Sequence, residues 1–301
     1  MEIGVAVRII FSRKGFDSSS GGKPSPILPD GRMVSLPIPD KQSPIRYGDI
    51  RWHEHNLGAL VSDLTDGRIP ASHLAHLDPD LSNDSLPRLP GWRPIFGQTG
   101  AAQGHLRNTG VVAGDIFLFF GLFRHVAYKS GKLDWNTCSP PLHVLWGWLQ
   151  IDEVLKVDGC DDEEYKWAKY HPHFHRGFET NNTVYVARKH LTLPGVSAGE
   201  LAGAGVFPCF SEQLRLTALS ATTPSLWELP QWLYPRNDIS PLTYHADLSR
   251  WQKSERGTKL NTVARGQEFI LDCADYPDSI EWINTLLESN SVNEGCRNNA
   301  R

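Results

Sequence analysis

The sequence predicts an α+β fold: a single domain on a curved mixed or antiparallel sheet, with large loop insertions. Three observations lead there. Apolar runs of strand length recur at residues 5–10, 116–123, 142–157 and 182–187. Helical spacing of apolar residues is confined to short stretches at 57–64 and 280–287. The chain holds 26 Gly, 21 Pro and 10 Trp, which suits many turns with aromatic anchors between them and argues against a helical bundle. With 301 residues, 40% of them hydrophobic, a sizeable core can be buried. Neither a repeat nor a clear linker divides the chain. Residues 1–288 are therefore read as one domain and the polar residues 289–301 as a disordered tail.

The first strand is the run Val5-Ala6-Val7-Arg8-Ile9-Ile10. It empties into FSRKGFDSSSGGKPSPILPDGRMVSLPIP, residues 11–39. This loop packs Arg13, Lys14, Asp17, Ser19, Lys23 and two glycines together. A rigid strand followed by cations and backbone N–H groups freed by glycine can seat an anion, so a phosphate-bearing ligand is expected here, against a surface loop that is merely polar. The spacing is not that of a Walker loop. Residues 31–38 alternate loosely as a second strand. Leu57, Leu60, Val61 and Leu64 fall at helical spacing. Pro79 ends regular structure by biasing Asp78 away from the helical region. A Pro-rich connector, 86–94, leads to the small-residue segment 97–106, which suits close approach of a ligand or of another element. The runs 116–123 and 142–157 read as an antiparallel pair in a barrel or curved sheet. An acidic turn at 158–164 precedes the strand NTVYVA. Residues 193–207 read as loop, 227–251 as irregular, 269–272 as a short strand or helix start, and 280–287 as a C-terminal helix.

The formal net charge is -4 and the pI about 6.3, so nucleic-acid binding has to come from a local basic face. The cysteines, Cys138, Cys160, Cys209, Cys273 and Cys296, are odd in number and form no Cys-x-x-Cys pair, which predicts free thiols in a reducing compartment. No signal peptide and no run of the ~18 apolar residues of a membrane helix is visible. A cytoplasmic setting without membrane contact is expected. Serine-hydrolase, dinucleotide and zincin motifs are absent.

Four polar groupings could carry chemistry. His76-x-Asp78-x-Asp80 places its side chains on one side if extended, which suits a hard or borderline divalent metal; the alternative is a turn in which the carboxylates cap N–H groups. His171-Pro172-His173-Phe174-His175 repeats histidine at i, i+2 and i+4. Zinc, non-haem iron, phosphate or a base would fit it, as would one structural histidine in an edge or loop. Arg265, Gln267 and Glu268 with Asp272 could meet a phosphate, a base edge and a proton. Gln98, Gln103, His105 and Asn108 are base-edge readers or partners of buried backbone. Trp146 and Trp148, in an apolar run, read as core.

Taken in order, SRKGFDSSSGGKPSPILPDG, HLDPDL, FGQTGAAQGHL, GDIFLFFG, LHVLWGWLQ, HPHF, NTVYVA and RGQEFILD resemble the nucleotide modification associated domain family, type three, of bacteria and phages. The resemblance runs from about Arg8 to about Trp282. That family is linked by gene context to DNA base modification and phage conflict. The resemblance implies a DNA or nucleotide ligand. The family's polar motif positions fall on Lys14, Asp17, His76, Asp78, Asp80, Gln98, His105, Gln267 and Glu268. Gly114-Asp115 with its apolar strand and WGWLQIDEV is also loosely similar to PUA, ASCH and EVE barrels, so a PUA-like barrel is one expected form of the sheet's core.

The expectation is an enzyme of base modification or phage defence, working by metal-assisted phosphodiester hydrolysis, as a nuclease, or by group transfer to a base. Asp17, His76, Asp78, Asp80, His105 and Glu268 are the expected catalytic groups. Asp17, Asp78 and Asp80 are the expected ligands of Mg²⁺ or Mn²⁺. Arg13, Lys14, Ser19, Lys23, Gln98, Gln103, Arg265 and Gln267 are the expected nucleic-acid contacts. The alternative is a non-catalytic reader of modified bases with a PUA/ASCH/EVE-like pocket. A third is a structural subunit that meets partner proteins through residues 227–251.

Overall fold

Two long apolar strands, buried on both faces, organise the chain. The computed structural model describes residues 7–296 apart from 54, 161–162, 178, 180, 197–198, 264–267 and 292–295. Nine strands form one mixed sheet: β1 (Arg8–Arg13), β2 (Ser25–Ile27), β3 (Ile95–Gln98), β4 (Ile116–Lys129), β5 (Lys132–Trp135), β6 (Leu142–Lys156), β7 (Thr183–Ala187), β8 (Ala204–Val206) and β9 (Glu268–Asp272). The order is β9-β1-β4-β6-β7-β3, with β2 and β5 added to β4 and β8 to β6. β1 runs parallel to β4, with Phe11 opposite Leu118. β4 and β6 are antiparallel.

The apolar run of β4 has no polar alternation because both its faces are covered. Phe117 and Phe119 pack on Phe96, with ring centroids 4.8 and 5.2 Å apart. Phe120 faces the other way, onto Trp227 at 5.0 Å and Phe269 at 6.2 Å. Each such ring contributes about 2–3 kcal/mol by leaving water. β6 shifts register between Leu145 and Gly147 and again between Ile151 and Glu153. Such bulges bend and twist a strand, and here the first part of β6 pairs with β4 while the last part pairs with β7.

The α+β single domain is as expected, but the sheet stays open. Among the described residues β9 pairs within it only with β1 and β3 only with β7, so the PUA-like barrel is corrected to an open mixed sheet. Helix α1 (Leu57–Leu64) lies where its periodicity placed it, with the Asn56 side chain accepting the Ala59 N–H at 2.9 Å. The segment 97–106 ends β3 and becomes α2 (Gly100–Asn108). The C-terminal helix α3 runs over Asp278–Asn290, further than expected and into the predicted tail. Residues 31–38 pair only in isolated bridges, apart from Ile38–Pro39 against Ala75–His76. The irregular stretch 227–251 instead contributes Leu226–Leu229 and Trp251–Lys253 to a three-stranded sheet around Thr258–Asn261. Trp227 is fully buried and Trp251 nearly so, which makes them core rather than contact surface. Cys209 and Cys296 form a disulfide, correcting the expectation of five free thiols; Cys138, Cys160 and Cys273 are free. Among the described residues no helix is long and apolar enough to cross a membrane.

Three apolar clusters fill the interior. The largest covers the sheet and α3. A second surrounds Phe16, Tyr47 and α1. A third holds Ile95, Trp167, Ala168, Val184 and Val186. The exit of β1 leads from the first cluster into the second at Phe16. Ala75 and Leu77 belong to the second, and Trp167 and Ala168 to the third, with Phe174 packed against it.

Candidate functional site

The exit of β1 forms one wall of a polar cavity. Lys14 keeps the strand's pairing, its N–H donating to the Phe120 carbonyl at 2.8 Å. Gly15 then turns the chain at φ +92°, where a Cβ would meet Ser35 Oγ at 3.0 Å. Asp17 closes the turn. Its Oδ1 accepts the Ser19 and Ser20 N–H groups at 2.8 Å and the Ser19 hydroxyl at 2.7 Å. Its Oδ2 pairs with Arg13 at 3.1 Å. Burial alone would raise the Asp17 pKa; these bonds outweigh it and hold the carboxyl below its ordinary value.

Residues 75–78 form the second wall. Pairing of Ile38 with His76 brings Asp40 alongside, and its Oδ2 lies 2.8 Å from His76 Nδ1. Arg176 stands 3.8 Å from the same oxygen. The Asp78 side chain is 4% exposed. Its Oδ1 accepts the Gly97 N–H at 2.7 Å and lies 3.3 Å from His171 Nε2, an approach too bent for a hydrogen bond. Its Oδ2 lies 3.6 Å from His76 Nε2 and 3.4 Å from His173 Nε2.

The histidine segment completes the cluster. Pro172–His175 is a single 3₁₀ turn, with Pro172 opening it and the His171 ring accepting the His173 N–H at 3.5 Å. His173 Nδ1 meets Asn182 Oδ1 at 2.6 Å, and Asn182 Nδ2 donates back to the His173 carbonyl at 2.7 Å. The His173 ring lies directly on Gly97, where a Cβ would come within 2.3 Å of it. His175 turns away and rests on the Lys169 carbonyl at 2.8 Å.

Burial and charge oppose each other throughout this cluster. Burial would raise Asp78, yet the three imidazoles around it hold its pKa well below the ordinary value. Burial would lower His76, but the Asp40 and Asp78 carboxylates raise it. The hydrogen bond with His76 lowers Asp40 to about 2. Burial dominates at His171, whose pKa is lowered.

The cavity encloses about 460 Å³ between Arg13, Lys14, Ser19 and Ser20 on one side and His76, Asp78 and His173 on the other, with Gln98, Thr99 and Arg176 completing it. A wider cleft of about 890 Å³, walled by Trp52, Leu77, Leu81 and Phe207, shares Gly15 and Asp78 with it. His76, Asp78 and His173 offer ligand atoms that all lie within 4.8 Å of one another. This set could hold a metal ion.

The structure therefore gathers Arg13, Lys14, Asp17, Ser19, His76, Asp78 and Gln98 around one space. The expected trio of Asp17, Asp78 and Asp80 is not assembled. Asp80 is 1% exposed and is held by Arg88 at 2.7 and 2.8 Å, by the Tyr170 hydroxyl at 2.6 Å and by Ser85 at 3.1 Å. The chain changes partner between His76, which pairs with Ile38, and Asp80, which bridges Ile95, so the two-residue alternation is lost. Glu268 is 1% exposed; its Oε1 accepts from Lys14 Nζ at 3.1 Å and from Gln98 Nε2, while its Oε2 is buried without a hydrogen-bond partner among the described residues. Gln103 accepts the Tyr185 hydroxyl at 2.8 Å and ties α2 to β7. His105 meets Thr243 Oγ1 at 3.1 Å, and burial lowers its pKa. Neither of these two, nor Lys23, lines the cavity. Arg265 and Gln267 lie outside the described residues. Sequence reasoning missed Asp40, Arg176 and Asn182 and kept the histidine segment apart from His76 and Asp78, whereas Gly97 lies in the small-residue segment expected to allow close approach. Asp40 is 36 residues from its partner, and no local pattern marks it.

No curated protein and no solved structure matches the chain. The chain belongs to the family described as nucleotide modification associated domain 3, whose model matches residues 8–272.

Proposed function

We propose that this protein is an enzyme that modifies a nucleotide or a DNA base, with metal-assisted chemistry in the cavity bounded by the β1 exit, His76, Asp78 and His173. Family membership ties the chain to nucleotide modification. The observation that carries the enzymatic reading is the cluster of three imidazoles around one buried carboxylate at the wall of a cationic, amide-bearing cavity. Burying ionisable groups costs free energy unless they are paired, and a non-catalytic reader of bases has no use for such a set. It needs aromatic platforms and amides, whereas Trp146 and Trp148 are core residues.

In this reading Arg13, Arg176 and Ser19 hold phosphate, while the Gln98 amide, bonded to Glu268 and to the Thr99 N–H, shapes the wall beside them. The adjoining cleft is large enough for the rest of a nucleotide. Group transfer to a base, or another reaction at one metal ion, is favoured over two-metal phosphodiester hydrolysis. The latter calls for carboxylates that bridge two ions, and both oxygens of Asp17 and of Asp80 are already engaged. A place beside partner proteins of a modification or defence system goes with this reading. So does a cytoplasmic setting, although the Cys209–Cys296 bond removes the thiol count as an argument for it.

The test is mass spectrometry of nucleosides from DNA and nucleotide pools incubated with purified protein, divalent metals and a panel of group donors. A new nucleoside is expected, with turnover falling at least about 100-fold in Asp78→Asn and unchanged in Lys23→Ala. Undiminished turnover in Asp78→Asn would refute the placement. Metal-independent binding to modified DNA with no turnover would return the protein to the readers.

A further inference from the structure

We propose that His76 Nε2, His173 Nε2 and Asp78 Oδ2 are the three protein ligands of a single borderline divalent cation of the zinc, iron(II) or cobalt(II) class, not of Mg²⁺. The inference deepens the reading above and rests on it only in placing the chemistry in this cavity.

The hydrogen bonds around the rings assign the lone pairs. Asn182 Nδ2 donates to the His173 carbonyl, so the amide can present only its oxygen to His173 Nδ1. That nitrogen therefore carries a proton, and Nε2 is the ring atom turned towards Asp78 Oδ2. Between Nε2 and a carboxylate oxygen 3.4 Å away there must be either a second ring proton or a metal cation, and a metal takes the place of that proton. The Asp40 carboxylate, an acceptor, likewise keeps a proton on His76 Nδ1, so Nε2 is the atom left to bind a metal. Metal-ligating histidines are oriented by this kind of outer partner. On the carboxylate, Oδ1 is taken by the Gly97 N–H and faces His171, which leaves Oδ2 free to ligate.

The spacing suits an ion. Ligand atoms at ~2.1 Å from a metal sit about 3.0–3.4 Å apart at octahedral or tetrahedral angles; Oδ2 lies 3.6 and 3.4 Å from the two nitrogens, and all three atoms fall within 4.8 Å of one another, so binding draws them inwards onto the ion. The three side chains are 8%, 4% and 3% exposed, so water does not compete for them freely. Two imidazoles and one carboxylate select zinc, iron(II) or cobalt(II), whereas Mg²⁺ demands oxygen ligands. Three protein ligands leave a position open towards the cavity, as catalytic sites do and closed structural sites do not. His171 Nε2 stands behind the carboxylate, 3.3 Å from Oδ1.

The experiment is metal analysis of the full chain as purified, then chelator stripping and titration with Co²⁺ followed by visible absorption. About one ion per chain and a d–d band at one equivalent are expected. The band should vanish in His76→Ala and His173→Ala and persist in Asp17→Ala. Asn182→Ala should weaken Co²⁺ binding about 10–100-fold, with Asn182→Asp restoring it by keeping the acceptor. If the histidine variants do not fold, the wild type still decides: Zn²⁺ or Co²⁺ should raise the melting temperature of the stripped chain, and Mg²⁺ at the same concentration should not. No band and no melting shift in folded protein would overturn the proposal, as would a band that depends on Asp17. Failure here is separable from failure of the enzymatic reading. Nucleoside turnover by fully stripped protein would overturn the metal and leave the enzyme, and stoichiometric metal without turnover would do the reverse.

Discussion

Gly97 lacks a side chain at the one place where the His173 ring needs the room. A Cβ there would sit 2.3–2.6 Å from ring atoms, while the same residue's N–H holds Asp78 Oδ1. Its backbone is an ordinary strand in register with Val184, so alanine is excluded by contact alone. Gly97→Ala should cost about 1–3 kcal/mol of stability by overpacking. It should cost less than about 0.5 kcal/mol in a His173→Ala background, since the clashing ring is then gone and the sites couple directly. Urea unfolding of the four proteins of this cycle measures the difference. Equal costs in both backgrounds would mean that the close approach is not what requires glycine.

Between Ala75 and Leu81 one short segment serves two purposes, because its partners change along its length. His76 and Asp78 face the cavity, whereas Asp80 locks the segment to Arg88, Tyr170 and Ile95. Asp80→Ala would leave the Arg88 guanidinium, 8% exposed, as an uncompensated buried charge. A loss of about 3–5 kcal/mol is expected, read as a lower denaturation midpoint, with partial recovery when Arg88→Met is added. A stable Asp80→Ala protein that had lost only activity would instead make Asp80 a chemical group. This division also explains what could be read from the residues in advance. β4, β6, β7 and α1 were legible because doubly buried runs and helical spacing are local signals. α2 was not: GAAQGHLRN buries little besides Gln103 and Leu106 and carries two glycines. Both histidine motifs were visible singly. Their meeting on one carboxylate depends on pairings such as Ile38 with His76 and on the Asn182 bond, which have no local trace.

Buried titratable groups make the stability of the whole molecule depend on pH. His143 on β6, which does not line the cavity, tests this. Its Nδ1 accepts the Trp227 indole N–H at 3.0 Å inside the largest cluster. Burial, helped by the Arg13 charge, lowers its pKa from 6.5 to about 3. The folded chain thus keeps the ring neutral at pH values where the unfolded chain protonates it. Below pH 6.5 the unfolded state binds the extra proton, so this histidine's contribution is intact above that pH and is lost progressively as pH falls towards 3. At about pH 4.5 the loss should be on the order of 2–3 kcal/mol, from about 1.4 kcal/mol per unit below the unfolded value. His143→Asn keeps an acceptor near the Nδ1 position and cannot titrate. It should be less stable at pH 7, because it fills less of the core, but should lose that much less on acidification. Carboxylates lowered by their partners, Asp78 and Asp40 among them, pull stability down in both proteins as pH approaches 4 and cancel in the comparison. Denaturant unfolding of the two proteins between pH 4.5 and pH 8 gives the difference curve. A curve that slopes only below pH 6.5 assigns the acid sensitivity to His143, and parallel stabilities across the range would show that the ring is already able to take up its proton in the folded chain.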